Sequence, residues 1–119
     1  MSSILVIEDD PAAARLLQTA LSRHGHTVEV AGDVATGRHA VEPGRHHLMI
    51  LELFLPDGSG LDLLRYLRAD LGSTLPVLLL TGHRQDDLLA RAEAAGASGY
   101  MTKPFDIRAL LGAVDRLTG

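Results

Sequence analysis

The 119-residue chain contains no cysteine and no tryptophan, and only 3% of it is aromatic. Without a thiol it forms no disulfide, holds no thiolate metal site and has no cysteine nucleophile, although the cellular compartment stays open on this ground alone. Basic excess is missing too. The net charge is -4 with 22% charged residues, an ordinary soluble surface that offers nothing to follow a nucleic acid phosphate backbone. No uninterrupted apolar run is longer than four residues, as in LMIL and VLLL, so none spans a bilayer. The opening stretch MSSILVIEDD lacks a basic segment and reaches three acids within ten residues, unlike a secretory signal or an anchor. The expectation is one cytoplasmic domain over residues 1–119, with neither nucleic acid nor membrane as a direct partner. Nucleotide chemistry of the P-loop type and serine-elbow hydrolysis are excluded as far as motifs exclude them, since neither G-x-x-x-x-G-K-[ST] nor G-x-S-x-G occurs.

What is present is a hydrophobic content of 46%, enough for a core, arranged as short apolar runs separated by helical patterns. ILVI (4–7), TVEVA (27–31), LMIL (48–51), VLLL (77–80) and GYMT (99–102) read as strands. Ala13, Leu16, Leu17, Ala20 and Leu21 follow helical spacing behind Asp9-Asp10-Pro11. The same spacing recurs in Leu88, Leu89, Ala92 and Ala95, and again in Ile107, Leu110, Leu111, Val114 and Leu117. Residues 33–42 and 59–71 give fainter helical patterns. Gly25, Gly72 and Gly96 follow helical stretches, where a left-handed cap suits a residue without Cβ. Five strands alternating with five helices predict an α/β fold, a parallel sheet covered on both faces through right-handed crossovers.

Ligands of such a sheet collect beyond the C-terminal ends of its strands. Glu8, Asp9 and Asp10 follow the first strand, Glu52 the third, Thr81 the fourth and Lys103 the fifth. Carboxylates, a hydroxyl and an ammonium suit a hard divalent cation and a phosphoryl group. Each has a plainer reading beside this one. Acids before a helix also serve as caps, Thr after a strand is often a turn residue, and a lone Lys is often solvated surface.

At these residues the chain resembles the receiver domain of bacterial two-component response regulators. The matching segments are ILVIEDDP, LFLPDGSGLDLL, PVLLLTG and AGASGYMTKPF, in order and over essentially the whole length. The resemblance implies a doubly wound, flavodoxin-like (βα)5 sheet of strand order 2-1-3-4-5. It implies Mg²⁺ held by Glu8, Asp9, the residue at position 52 and the backbone carbonyl of Phe54. By the same resemblance Thr81 engages the phosphoryl group, Lys103 pairs with it and precedes a cis bond to Pro104, and Tyr100 is an aromatic switch. Partners implied are a sensor histidine kinase or phosphotransfer protein and, through helix 4, strand 5 and helix 5, an output protein or effector domain. That face would carry Asp86, Asp87, Arg91, Tyr100, Arg108 and Arg116. The Ser98-Gly99-Tyr100 stretch lacks the paired acids that accompany dimerisation through this face in winged-helix regulators.

One position departs from the pattern. The family's phosphoacceptor is an Asp four residues before the loop proline, and counting back from Pro56 gives Glu52. Glutamate sets its carboxylate about 1.5 Å further out, and a shift of about 1 Å in an in-line geometry costs on the order of a hundredfold in rate. The expectation is that phosphotransfer is lost. A longer arm also reaches toward Lys103 with one charge where a phosphoryl group carries about -1.5 to -2, so the active state would be imitated in part. Alternatives are a constitutive interaction scaffold and a Mg²⁺ phosphatase using Asp9. Asp57 reads as a turn former with Gly58. His24, His26, His39, His46, His47 and His83 share neither a strand-end cluster nor an i, i+4 pair and read as surface residues, with His83 and Phe54 two positions beyond Thr81 and Glu52.

Overall fold

The computed structural model describes residues 2–82 and 86–119. Five strands, β1 (Ser3–Ile7), β2 (Thr27–Ala31), β3 (Leu48–Leu51), β4 (Val77–Thr81) and β5 (Gly99–Thr102), form a parallel sheet in the order β2-β1-β3-β4-β5. The helices are α1 (Pro11–Arg23), α2 (Val34–Ala40), α3 (Gly60–Arg65), α4 (Asp86–Ala94) and α5 (Ile107–Thr118). A two-residue antiparallel hairpin, Phe54–Leu55 against Gly58–Ser59, links β3 to α3. The five-stranded doubly wound sheet expected from the alternation of elements is therefore the observed one, in the expected order.

The apolar runs explain both faces of the sheet. Successive side chains of a strand point to opposite sides, so an unbroken apolar strand needs cover on both. Ile4, Val6, Leu48, Ile50, Leu78 and Leu80 point to one side, where Leu17 and Leu21 of α1 and Leu110 and Val114 of α5 cover them. Leu5, Ile7, Met49, Leu51 and Leu79 point to the other, beneath Leu63 and Leu64 of α3 and Leu89 and Ala92 of α4. Edge strands β2 and β5 are only half covered and their burial alternates or fades, which is why TVEVA and GYMT carry the weaker apolar signal.

Several boundaries differ from expectation for local reasons. Helix α2 stops at Ala40, because Pro43 excludes its preceding residue from helical geometry and Val41 is already extended. The helical stretch after Gly60 continues to Asp70 by widening into a π turn, in which the Leu71 N–H donates to the Tyr66 carbonyl at 3.1 Å. Leu16 is 49% exposed: Leu17 and Leu21 make the buried stripe of α1, and Leu16 lies beside it. Gly25, Gly72 and Gly96 all have positive φ, as a left-handed cap requires. No helix among the described residues is long and apolar enough to cross a membrane.

Candidate functional site

The sheet places its polar residues by extending the backbone ladder one step past the apolar runs. The Glu8 N–H donates to Ala31 O at 3.0 Å, the Glu52 N–H to Ile7 O at 3.0 Å, and the Lys103 N–H to Thr81 O at 2.9 Å. Each residue is thus tied to the neighbouring strand, and their side chains leave the same edge. Glu8 is 4% exposed, Glu52 7% and Thr81 0%. The Lys103–Pro104 peptide bond is cis.

Lys103 is the centre of the cluster. Its ammonium donates to Glu8 Oε1 and to Glu52 Oε1, the second at 3.1 Å. The remaining oxygens are also engaged. Glu8 Oε2 accepts from the Asp10 N–H at 3.3 Å, and Glu52 Oε2 accepts from its own loop, from Leu53 N–H at 2.6 Å and Phe54 N–H at 3.4 Å. Burial pushes the Glu8 carboxyl above its ordinary value, only partly countered by Lys103, and the neighbouring Glu52 charge adds to the rise. Burial alone would lower Lys103, but the two carboxylates it serves hold its ammonium above the ordinary lysine range. Two buried acids share one cation, so the second negative charge is the poorly compensated one.

The three acids after β1 divide their roles. Asp10 is the N-cap of α1, accepting from the Ala12 N–H at 3.3 Å, with Pro11 in the first turn. Glu8 turns into the cluster. Asp9 is exposed, and the carboxylates of Glu8, Asp9 and Glu52 do not come within 4.8 Å of one another as a set. Their oxygens are chemically suited to Mg²⁺, yet the cation between Glu8 and Glu52 is the Lys103 ammonium. Bound Mg²⁺ would supply charge neutralisation for phosphate oxygens, in competition with the Lys103 ammonium for Glu8 Oε1. Tyr100 is 53% exposed on β5, Phe54 is 40% exposed, and Gly82 is exposed beside Thr81. His83 lies outside the described residues.

Two supports of this edge, and one of the opposite edge, were not read from the sequence. Gly60 packs on the backbone of Glu52: a Cβ there would stand 2.2 Å from the Glu52 carbonyl oxygen, while the Gly60 N–H donates to Leu53 O at 2.8 Å. Asp57 does sit in the tight turn, but its carboxylate also crosses to α2, accepting from Val34 N–H at 2.7 Å and Ala35 N–H at 3.0 Å. These bonds hold its carboxyl below the usual aspartate value. At the opposite edge Arg68 ties the π turn to the α4–β5 corner through Gly96 O at 2.8 Å and to the segment before β4 through Ser73 O at 3.0 Å. The only signals for them were a glycine-rich turn and an arginine in a faint helical pattern.

The histidine expectation is corrected in part. His24, His39 and His47 are exposed, but the His46 side chain is only 4% exposed, with Nε2 at 3.0 Å from Glu29 Oε1. His26 is half-buried and lies with His24 and Asp115 in one group. Sequence spacing hid this because Asp115 arrives from α5, 91 residues after His24.

Residues 4–115 match the family model described as the response regulator receiver domain. The chain is 37% identical over 120 aligned positions to the probable transcriptional regulatory protein TcrX of Mycobacterium tuberculosis, covering 98% of this chain and 51% of that protein. It is 36% identical to the KDP operon transcriptional regulatory protein KdpE of Escherichia coli, covering 90% of this chain and 47% of KdpE. The chain spans about half the length of these curated relatives. Among solved structures it superposes on the non-phosphorylated HemR receiver domain from Leptospira biflexa with a TM-score of 0.92 at 28% identity, covering 100% of this chain and 95% of that one. The BeF3-activated DrrB receiver domain gives 0.87 at 29% identity, covering 98% and 97%. The chain belongs to the response regulator receiver domain family.

Proposed function

We propose that this member of the response regulator receiver family is a signalling module whose phosphoacceptor position is filled by Glu52, which pairs with Lys103 in place of a phosphoryl group. The observation that carries the reading is the 3.1 Å contact from Glu52 Oε1 to the Lys103 ammonium, with Glu52 Oε2 folded back onto the Leu53 N–H. A carboxylate engaged on both oxygens is poorly placed for in-line attack on phosphorus. The pair imitates only part of a phosphorylated site, since it brings a single charge and Tyr100 remains exposed.

Partners follow from the family in coarse form: a histidine kinase or phosphotransfer protein on the input side, and an effector on the output side. The output face is read on α4, β5 and α5, where Asp86, Asp87, Arg91, Tyr100, Arg108 and Arg116 are all exposed. A cleft of about 210 Å³ lined by Leu79, Leu89, Glu93 and Tyr100 opens on it. A second reading, a scaffold that binds partners without Mg²⁺, is favoured by the same ammonium, which already neutralises much of the charge a metal would. A phosphatase built on Asp9 has no comparable support, because Asp9 stands exposed and outside the Glu8–Lys103–Glu52 contacts.

The test is incubation with Mg²⁺ and acetyl phosphate or phosphoramidate, read by intact mass beside Glu52→Asp. The wild-type chain is expected to stay unmodified while the Asp variant gains a phosphoryl group. A phosphorylated wild type would overturn the assignment.

A further inference from the structure

At the opposite end of the sheet from Glu52, the turn between α1 and β2 meets the last turn of α5. His24 caps α1, Gly25 reverses the chain with φ +95°, and His26 leads into β2. A left-handed glycine between them lets both imidazoles face the same side, with ring centroids 5.6 Å apart. Asp115 closes the group from α5, its two oxygens 3.2 and 3.3 Å from His24 Nε2. One donor atom from each of the three residues lies within 4.8 Å of the other two.

We infer that His24, His26 and Asp115 form a binding site for a divalent transition-metal ion of the zinc class. Two imidazoles and a carboxylate are the donor set such ions take, with further positions left to water, and the set is unsuited to Mg²⁺ or Ca²⁺. Neighbouring donors on a tetrahedral zinc with bonds of about 2.0–2.1 Å are separated by about 3.3 Å. The His24 to Asp115 edge already has that length, and His26, whose donor lies within 4.8 Å of the other two, needs to close by at most about 1.5 Å. His24 and Asp115 have side chains 39% and 59% exposed, free to make the adjustment and open to an arriving ion.

An ion pair between His24 and Asp115 would account for that contact alone, but it leaves His26 unexplained. His26 Nδ1 accepts from the Ser2 N–H at 3.2 Å, which in the neutral ring puts the proton on Nε2. That buried nitrogen has no hydrogen-bond partner among the described residues. Burial, followed by the nearby His24, lowers the His26 pKa, and it is the neutral ring that ligates a metal. Ligation through Nε2 moves the ring proton to Nδ1 and breaks the Ser2 bond, so the Ser2 amide reports binding directly.

The experiment is a titration of the tag-free full chain with ZnCl₂ at pH 8, followed by calorimetry and by amide and imidazole NMR. Saturation at sub-millimolar zinc is expected, with the Ser2 amide and the His24 and His26 rings shifting together. His24→Ala and Asp115→Asn, both at exposed positions, should each weaken binding at least tenfold, while Glu8→Gln leaves it unchanged. Absence of binding at about 1 mM zinc, binding that moves Glu8 and Glu52 signals instead, or an affinity unaltered in His24→Ala and Asp115→Asn would each overturn the site.

Discussion

Replacing Lys103 with Met keeps much of the side chain's length and removes its charge, leaving Glu8 and Glu52 buried without their cation. At 3.1 Å and an effective dielectric near 20, the Lys103–Glu52 attraction is about 5 kcal/mol before desolvation is subtracted. Breaking a buried pair from one side costs about 3–5 kcal/mol, and the 22% exposure of the Lys103 side chain argues for a lower figure, about 2–4 kcal/mol. Against a total stability of about 5–15 kcal/mol for a domain of this kind, such a loss is easily measured. The assay is urea denaturation of wild type, Lys103→Met, Glu52→Gln and the double variant at pH 7 and pH 5. The double variant should recover at least about 1 kcal/mol of the sum of the single losses, because the stranded charge is removed with its partner. With the ammonium gone the buried Glu8 carboxylate binds a proton more readily in the folded state, so the Lys103→Met deficit should shrink from pH 7 to pH 5. A loss below about 0.5 kcal/mol at pH 7, the range of surface substitutions, would refute the buried-cluster account.

Other consequences are equally open to measurement. The Glu8 carboxyl is raised above 4.5, so its contribution is full below that pH and is lost as pH rises through its folded value; the stability of Glu8→Gln relative to wild type should therefore increase from pH 4.5 to 7 in urea melts. Gly60→Ala drives a Cβ into the Glu52 carbonyl and should cost about 1–3 kcal/mol or more, with amide shifts centred on Leu53 and Glu52. Asp57→Ala should speed amide exchange at Val34 and Ala35; because its carboxyl is held below 3.8, the wild-type advantage should persist above that pH and vanish as pH falls through the folded value. Arg68→Lys should lose the planar fork onto Gly96 and Ser73 and lower stability by about 1–3 kcal/mol in thermal melts, in contrast to a solvated arginine.

The parallel sheet was legible because β1, β3 and β4 are apolar on both faces, a pattern that only two covering layers satisfy. The strand-end residues Glu8, Glu52 and Thr81 were legible for a related reason: each is the first polar residue after such a run. Helix ends were read less well where a competing local preference intervened, as at Pro43, or where a helix closed through a π turn, as at Tyr66. What one-dimensional spacing could not show were contacts made across the fold. Asp57 reaches α2 from a hairpin, Gly60 presses on the Glu52 carbonyl, and Asp115 meets two histidines from the far end of the chain. The division of labour within Glu8-Asp9-Asp10 was likewise undecided in the sequence, since a cap and a site acid differ only in which way the side chain turns.

The central claim is that Glu52 already engages Lys103, so that the site no longer responds to a phosphoryl group. The most direct measurement is a pair of amide spectra, recorded for wild type and Glu52→Asp, before and after adding Mg²⁺ with beryllofluoride, the agent named for the activated DrrB structure. The account predicts that Thr81, Tyr100 and Lys103 signals shift in the Asp variant and stay in place in the wild type. Matching shifts in the wild-type chain would show that Glu52 leaves the site open, and the pairing with Lys103 would lose its functional meaning.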